Sequence, residues 1–378
     1  MPQTSKVKEF GARLLLLALG CGVGFLLGEG ALRLLFPDYV ASAGIERNFF
    51  CHFDPQLGWA PLPNVSGLHR RDGFVVYIEQ NQFGLRGPKT MRKERLPTQQ
   101  RTLVLGDSYV WGYGVDQDKV FTEPAVHGSE MELINFGVSG YGTDQAYLLY
   151  QREGISFDVD EVVLVFTPYN DVENNLSSRQ YDHDKSYFTL KHQELELHTE
   201  HLRENYAQTI INTVWAESRV INVIFTAYRA FHNWQILKKT KGGTATPGTG
   251  PLGPSAVSSR DQEGIALTMR IIAKLRDAVL ATGAKFSVVF VPYKPHILHK
   301  VSYNHPLVPL IAKELENAGI PYYEPYFMFL EEASSKNLFN PIDNHFSPEG
   351  HSAFSRTFVD PTTRERTKNL YKQMKPTP

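Results

Sequence analysis

Cysteine is nearly absent from this chain of 378 residues. Its two cysteines, Cys21 and Cys51, cannot build a disulfide framework, and no close-spaced set of cysteines and histidines matches a structural zinc site. A surplus of one charge is also missing. Lys plus Arg number 39 against 40 Asp plus Glu, for a net charge of -1, so no overall field would hold a polyphosphate backbone and no nucleic-acid partner is expected. There is no internal repeat. Hydrophobic residues at 42% and charged residues at 21% exclude general disorder, so stability must come from a packed core.

One long apolar stretch is present. From Phe10 to Phe36 apolar and small residues dominate, with an uncharged run from Leu14 to Gly28 preceded by Lys6, Lys8 and Arg13. Arg13, Glu29 and Arg33 lie near enough to its ends to reach the head groups, so residues 1–37 read as a single-pass signal anchor. Basic residues ahead of the run favour a cytoplasmic N-terminus, placing the remainder outside the inner membrane, in the periplasm. Three other readings compete: a cleavable signal ending at Ala41-Ser42-Ala43, a lipoprotein-like Leu17 to Cys21, and a buried core helix. Gly20, Gly22, Gly24 and Gly28 weaken a helix in water and suit a membrane better.

Residues 38–100 are rich in turn formers, as in Asp54-Pro55-Gln56-Leu57-Gly58, and read as an ordered extracytoplasmic lead-in arm. From Thr102 short apolar runs alternate with helical stretches, the mark of an α/β domain with a central parallel sheet, spanning 101–360. Thr102–Leu105, Glu132–Phe136, Glu161–Phe166 and Lys285–Val291 are the expected buried strands, with another near Ile320–Tyr323; helices are expected over Gln262–Thr282 and Leu307–Ala318. Residues 176–260 interrupt the pattern. The amphipathic runs between Glu194 and Lys241, followed by a Gly/Pro/Thr-rich linker to Pro254, predict a helical cap on a tether. Residues 361–378 form a polar tail expected to fray.

Leu103-Val104-Leu105-Gly106-Asp107-Ser108 is an apolar strand ending in a turn that presents a serine at the sheet's C-terminal edge, where open parallel sheets bind ligands. Alone, it is more readily a strand-end turn in which Asp and Ser only cap a helix. The G-x-S-x-G elbow is absent, with Val110 where its second glycine would stand, which disfavours an ordinary α/β-hydrolase. Three later segments stand at the ends of predicted strands or near the C-terminus: Ile134 to Thr143 with glycines that admit close backbone approach, Tyr169-Asn170-Asp171, and Asp343-Asn344-His345. The two-residue spacing of Asp343 and His345 puts both side chains on one face of an extended segment, so the carboxylate can fix the imidazole tautomer.

With these four blocks in order, the region from about Gln100 to Asp360, minus the insertion, resembles the SGNH, or GDSL-like, hydrolase family. The arm is similar to that of membrane-anchored bacterial members through Leu57-Gly58-Trp59, Pro63-Asn64 and Asn81 to Gly87. The resemblance implies a three-layer, flavodoxin-like fold and a serine esterase. It implies Ser108 as nucleophile, His345 as base, Asp343 as its carboxylate, and an oxyanion hole from the backbone N–H groups of Ser108 and Gly140 with the Asn170 amide. No metal or organic cofactor is implied. Tyr109 stands where the family shorthand has leucine, Tyr169 replaces a usual glycine, and Asp-x-His stands where Asp-x-x-His is commoner. The implied substrate is a small acyl ester, O-acetyl above all, on an envelope or exported glycan. An O-acyltransferase on the same triad, a non-catalytic glycan-binding scaffold and a lipase are the alternatives. His351 is expected to be structural, Asp107 and Asp171 to shape loops, and Trp111, Tyr113, Tyr141 and Tyr169 to be core or, alternatively, a sugar-stacking platform.

Overall fold

The computed structural model describes residues 3–36, 46–71, 74–128, 130–181, 183–205, 218–221, 223–224, 227–228, 231, 257–341 and 343–373. The chain divides into two units, 1–48 with 205–245, and 49–204 with 246–378.

The larger unit is built on five strands: β1 (Arg101–Gly106), β2 (Glu132–Gly137), β3 (Glu161–Phe166), β4 (Lys285–Phe290) and β5 (Tyr322–Tyr323). They run parallel in the order β2-β1-β3-β4-β5, the doubly wound order of flavodoxin-like sheets. Both faces are covered, which is why these strands read as continuous apolar runs rather than alternating ones. Leu103, Leu105, Ile134, Phe136, Leu164 and Val288 join a core with helices Thr143–Arg152, Ser259–Leu280 and Val308–Asn317. Val104, Leu133, Val163, Val165 and Val289 face the opposite way, onto Ile297, Tyr326, Phe329 and Phe354. The result is the expected three-layer sandwich.

Local chemistry sets the helix ends. Ser258 caps Ser259–Leu280 by accepting from the Asp261 N–H at 3.1 Å, while Asp261 accepts from the Ser258 N–H at 2.8 Å. Its buried stripe, Ile265, Thr268, Ile271, Ile272, Leu275 and Val279, has the period of one helix face.

The arm is ordered as two antiparallel pairs, Cys51–Asp54 with Gly58–Pro61 and Ser66–Arg71 with Phe74–Glu79. The first part of the insertion differs from the expectation of helix. Arg179–Gln180 pairs with His183–Asp184, and Tyr187–Lys191 with Glu194–His198. Glu194-Leu195-Glu196-Leu197 alternates polar and apolar with period two, a strand signal outweighed by reading it with the longer helical run that follows. Most of Ile210–Leu237, and the linker through Pro254, lie outside the described residues.

The tail is a second correction. Helices Pro361–Thr367 and Leu370–Gln373 occupy most of the expected frayed tail, and residues 374–378 lie outside the described ones. Asp360 accepts from the Thr362 and Thr363 N–H groups at 3.1 and 3.2 Å, and Arg364 holds Glu161 with contacts of 2.9 and 3.1 Å. The Asn369 side chain accepts from the Tyr322 N–H at 3.0 Å and its backbone N–H donates to the Tyr322 carbonyl at 2.8 Å, so the tail covers the exposed edge of β5.

In the smaller unit one helix runs from Gln3 to Leu35. Its 27-residue stretch Glu9–Leu35 is long and apolar enough to cross a membrane and is not buried, which separates it from a core helix. The Ala41–Ala43 segment lies outside the described residues.

Candidate active site

β1 ends at Gly106 and the chain turns at Asp107, whose Oδ1 accepts from the Tyr109 N–H at 2.9 Å and so caps the short helix Ser108–Trp111. The turn fits only because its neighbour is small. A Cβ on Gly137, at the end of β2, would lie 2.3 Å from the Trp111 nitrogen. Asn135 on the same strand donates to the Val110 carbonyl at 2.7 Å. From the arm, buried Arg86 closes the other end of the turn, donating to the carbonyls of Trp111 at 3.1 Å and Val115 at 2.6 Å and also to that of Gly112. Burial pulls its guanidinium down to about 9, against the opposing pull of Glu123 and Asp116. The arm is thus a structural member of the serine turn.

His345 Nε2 lies 2.7 Å from Ser108 Oγ. In the tautomer that accepts the serine proton, Nδ1 carries the ring hydrogen. Asp343 Oδ1 is 3.1 Å from Nδ1 and accepts from the His345 backbone N–H at 2.9 Å. The ring N–H is poorly aimed at that oxygen, so proximity holds the pair rather than a linear bond. This follows from the two-residue spacing, in which one carboxylate oxygen serves both the backbone and the ring. Burial pushes the Asp343 carboxyl up, but His345 and Lys294 outweigh it and hold it below its ordinary value.

The imidazole stands against two tyrosines, with ring centroids 5.0 Å away at Tyr109 and 4.4 Å at Tyr113. Tyr109 also donates to the Asn344 carbonyl at 2.6 Å and meets the Tyr169 hydroxyl. Lys294, just past β4, donates to the carbonyls of Asn340 and Asp343, each at 2.6 Å. Together they pin the segment carrying Asp343 and His345 from two sides. Sequence reading missed Lys294 and the role of Tyr109. The one signal available for Lys294 was its place at the C-terminal end of a buried strand.

The expected oxyanion donors take different positions. Among the described residues no acceptor is hydrogen-bonded to the backbone N–H of Ser108 or Gly140, which leaves both able to donate. Gly140 has φ +81°, open to glycine, and the loop around it is tied to the arm: Trp59 donates to the Ser139 carbonyl at 3.3 Å, and the Tyr141 hydroxyl to the Trp59 carbonyl at 2.6 Å. The Asn170 amide donates to Asp107 at 3.3 Å and accepts from Gln180 of the inserted hairpin at 3.4 Å. Asp171 accepts from the Thr167 N–H at 2.9 Å. Burial pushes both Asp107 and Asp171 up, and the Asp107 charge adds to the shift at Asp171. Asp107 is taken up by the Tyr109 N–H and the Asn170 amide and Asp171 by the Thr167 N–H, in keeping with loop-shaping roles.

Of the four aromatics, Trp111 and Tyr141 are buried core, whereas Tyr113 and Tyr169 are half-buried beside the imidazole or its tyrosine brace. His351 is structural, as expected, but as a core residue: it is buried, stacks on Phe121 and accepts from the Phe121 N–H at 3.3 Å. Burial first, then Arg86 and His345, pull it down to about 3. An unfolded histidine titrates near 6.5, so as pH falls below that value the unfolded chain takes up a proton the native state refuses. Stability conferred by the neutral ring is therefore complete above about pH 6.5 and lost toward pH 3, at about 1.4 kcal/mol per pH unit within that window. In His351→Gln, urea unfolding between pH 7 and pH 4 is expected to show a shallower loss of stability than in the parent; equal slopes would remove His351 from the acid response.

Comparison with known proteins finds no matching family model and no matching curated protein. Solved structures similar to this chain include a GDSL-like lipase from Bacteroides thetaiotaomicron, 11% identical over 73% of this chain and 93% of that one, with a TM-score of 0.36. A catalytic mutant of an acetylxylan esterase from Geobacillus stearothermophilus is 13% identical over 70% of this chain and 95% of that one, at 0.33. An alpha/beta hydrolase enzyme from the metagenome of Lake Arreo, Spain, is 11% identical over 69% and 93%, at 0.35. At such distances the chemistry has to be read from the side chains themselves.

Proposed function

We propose that the protein is a serine esterase of the SGNH type, cleaving small acyl esters, O-acetyl above all, from an envelope or exported glycan. The observation that carries this is the 2.7 Å approach of His345 Nε2 to Ser108 Oγ at the C-terminal edge of the sheet, with Asp343 beside the other ring nitrogen. Ser108 Oγ attacks the ester carbonyl carbon as its proton passes to Nε2. The oxygen that gains charge rests on the N–H groups of Ser108 and Gly140 and, once turned from Asp107, the Asn170 amide. Collapse breaks the bond to the sugar oxygen, which takes the proton back from His345 and leaves as an alcohol. Water then repeats the sequence on the acyl-serine and releases the carboxylic acid. Asp343 remains ionised throughout and offsets the charge on the imidazolium. The apolar helix Glu9–Leu35 supports a single-pass anchor in the inner membrane with this domain on the periplasmic side.

The test is acetate release from 4-nitrophenyl acetate and from an acetylated oligosaccharide by the full chain in detergent. Release from both supports the reading, and failure on both overturns it. Acetyl appearing on an added sugar acceptor instead of as free acetate would make the same triad a transferase, which needs water excluded from the acyl-serine.

Lys294 supplies a sharper check. Its two bonds fix the segment bearing Asp343 and His345, and displacement of a reacting group by about 1 Å can lower a rate about a hundredfold. Lys294→Met is expected to lower kcat by that order with KM nearly unchanged, and removing a cation beside the Asp343–His345 pair should move the acid limb of the rate profile to higher pH. Loss confined to thermal stability would reduce Lys294 to a scaffold residue.

A further inference from the structure

The inserted segment 218–231 groups not with the catalytic unit but with the apolar helix Gln3–Leu35. Its described residues from 219 onward are helical. The junction is reciprocal. Glu29 accepts from the Ser218 hydroxyl and from the backbone N–H groups of Arg219 and Val220, each at 3.1 Å, as the cap of a helix N-terminus. Arg219 in turn donates to the carbonyl of Leu32 at 3.0 Å, which also accepts from the Phe36 N–H at 3.1 Å, and to the carbonyl of Phe36, just past the end of the first helix. Gly28 completes the contact, since a Cβ there would lie 3.3 Å from Val220.

The position of Glu29 gives this junction its meaning. The uncharged run Leu14–Gly28 is centred on Cys21, so Glu29 lies eight residues from the centre, about 12 Å along a helix at 1.5 Å per residue. A hydrocarbon core is about 30 Å thick, so a carboxylate there stands just inside its edge, where it needs donors from protein rather than water. Ser218, Arg219 and Val220 provide them. The second helix must then begin at the level of the head groups. Beyond that start, Val223, Ile224, Tyr228 and Phe231 are 41, 63, 59 and 55% exposed. Ile224, Tyr228 and Phe231 follow i, i+4, i+7, the spacing of one helix face. Between Ser218 and Lys241 the sequence has no Asp or Glu but carries Arg219, Arg229, Lys238, Lys239 and Lys241, with Trp215 and Trp234 flanking the described part. Aromatic and basic residues of this kind mark segments that lie in an anionic interface.

We propose that the described helical residues from Arg219 to Phe231 are a second membrane contact, lying in the outer head-group region of the bilayer that Glu9–Leu35 crosses, with Ile224, Tyr228 and Phe231 in the acyl boundary. This rests on the reading of Glu9–Leu35 as a span. It assigns this part of the insertion to holding the membrane and gives the chain two separate points of membrane contact.

The experiment uses the full chain with Cys21→Ser and Cys51→Ser, carrying one new cysteine at a time, Leu17→Cys, Ile224→Cys or Phe231→Cys, each bearing an environment-sensitive fluorophore. The proteins are placed in vesicles of phosphatidylethanolamine and phosphatidylglycerol, and those keeping the parent's thermal midpoint are read. A nitroxide deep in the acyl chain should quench Leu17 most, while a nitroxide near the head group should remove most of the emission at Ile224 and Phe231, with aqueous iodide having little effect. Iodide quenching at Ile224 and Phe231 with Leu17 still lipid-quenched would overturn the proposal and leave the span intact. Iodide quenching at all three would remove the span itself, and the proposal with it.

Discussion

Replacing Ser108 by alanine is expected to lower kcat for 4-nitrophenyl acetate by about 10⁴- to 10⁶-fold while leaving KM within a small factor. The substitution removes only Oγ, the atom 2.7 Å from His345 Nε2. The serine turn should survive, because its supports lie elsewhere: Asp107 on the Tyr109 N–H, Asn135 on the Val110 carbonyl, and Arg86 on the carbonyls of Trp111 and Val115. The backbone N–H groups of residue 108 and Gly140 also remain, so substrate binding and any residual rate come from them. A thermal midpoint matching the parent would show that the fold is intact. Turnover persisting within tenfold of the parent would mean that Ser108 is not the nucleophile and that the Ser108–His345 contact only closes the turn.

Much of this was legible in sequence because apolar run length and turn chemistry are local. Glu161–Phe166 was placed to the residue and Arg101–Gly106 within one at each end, since a strand buried on both faces has nothing polar to blur it. Ser108, Asp343 and His345 come together as their order along the sheet implied. What stayed hidden depends on distant partners. Lys294 carries no sign of its role, because the carbonyls it holds belong to Asn340 and Asp343, more than forty residues on. Arg86 looked like part of an arm motif, yet its contacts reach residues 25 to 29 positions away. The tail was misread for a related reason: Arg364 and Asn369 are polar, and only the exposed edge of β5 gives them partners. In the insertion, a segment of period-two alternation was absorbed into the helical pattern beyond it.

Lys185 is where that insertion is rooted, and its loss should be a large stability change. Lys185 Nζ pairs with the Asp144 carboxylate and donates to the carbonyls of Asn174 at 3.3 Å and Ser177 at 3.4 Å, and both charged side chains are fully buried. Burial pulls the lysine down and pushes the aspartate up, while each partner opposes the shift in the other. Lys185→Met leaves Asp144 desolvated with no cation, a change that costs about 3–5 kcal/mol and, at an unfolding entropy of about 2.1 cal/mol/K per residue, lowers the midpoint by roughly 4–8 °C. The sign of its pH dependence is fixed. A lone buried carboxyl titrates above its unfolded value of about 3.9, so the native state holds the proton more firmly and stability falls as pH rises through that window. The variant should therefore be penalised more at pH 8 than at pH 4.5, and adding Asp144→Asn should recover most of the loss and flatten the difference. A Lys185→Met protein as stable as the parent at pH 8 would mean that water or another donor reaches Asp144. Because the same hairpin brings Gln180 to the Asn170 amide, the double variant also separates anchoring from chemistry: with the hairpin held and its charges gone, kcat should return along with the midpoint.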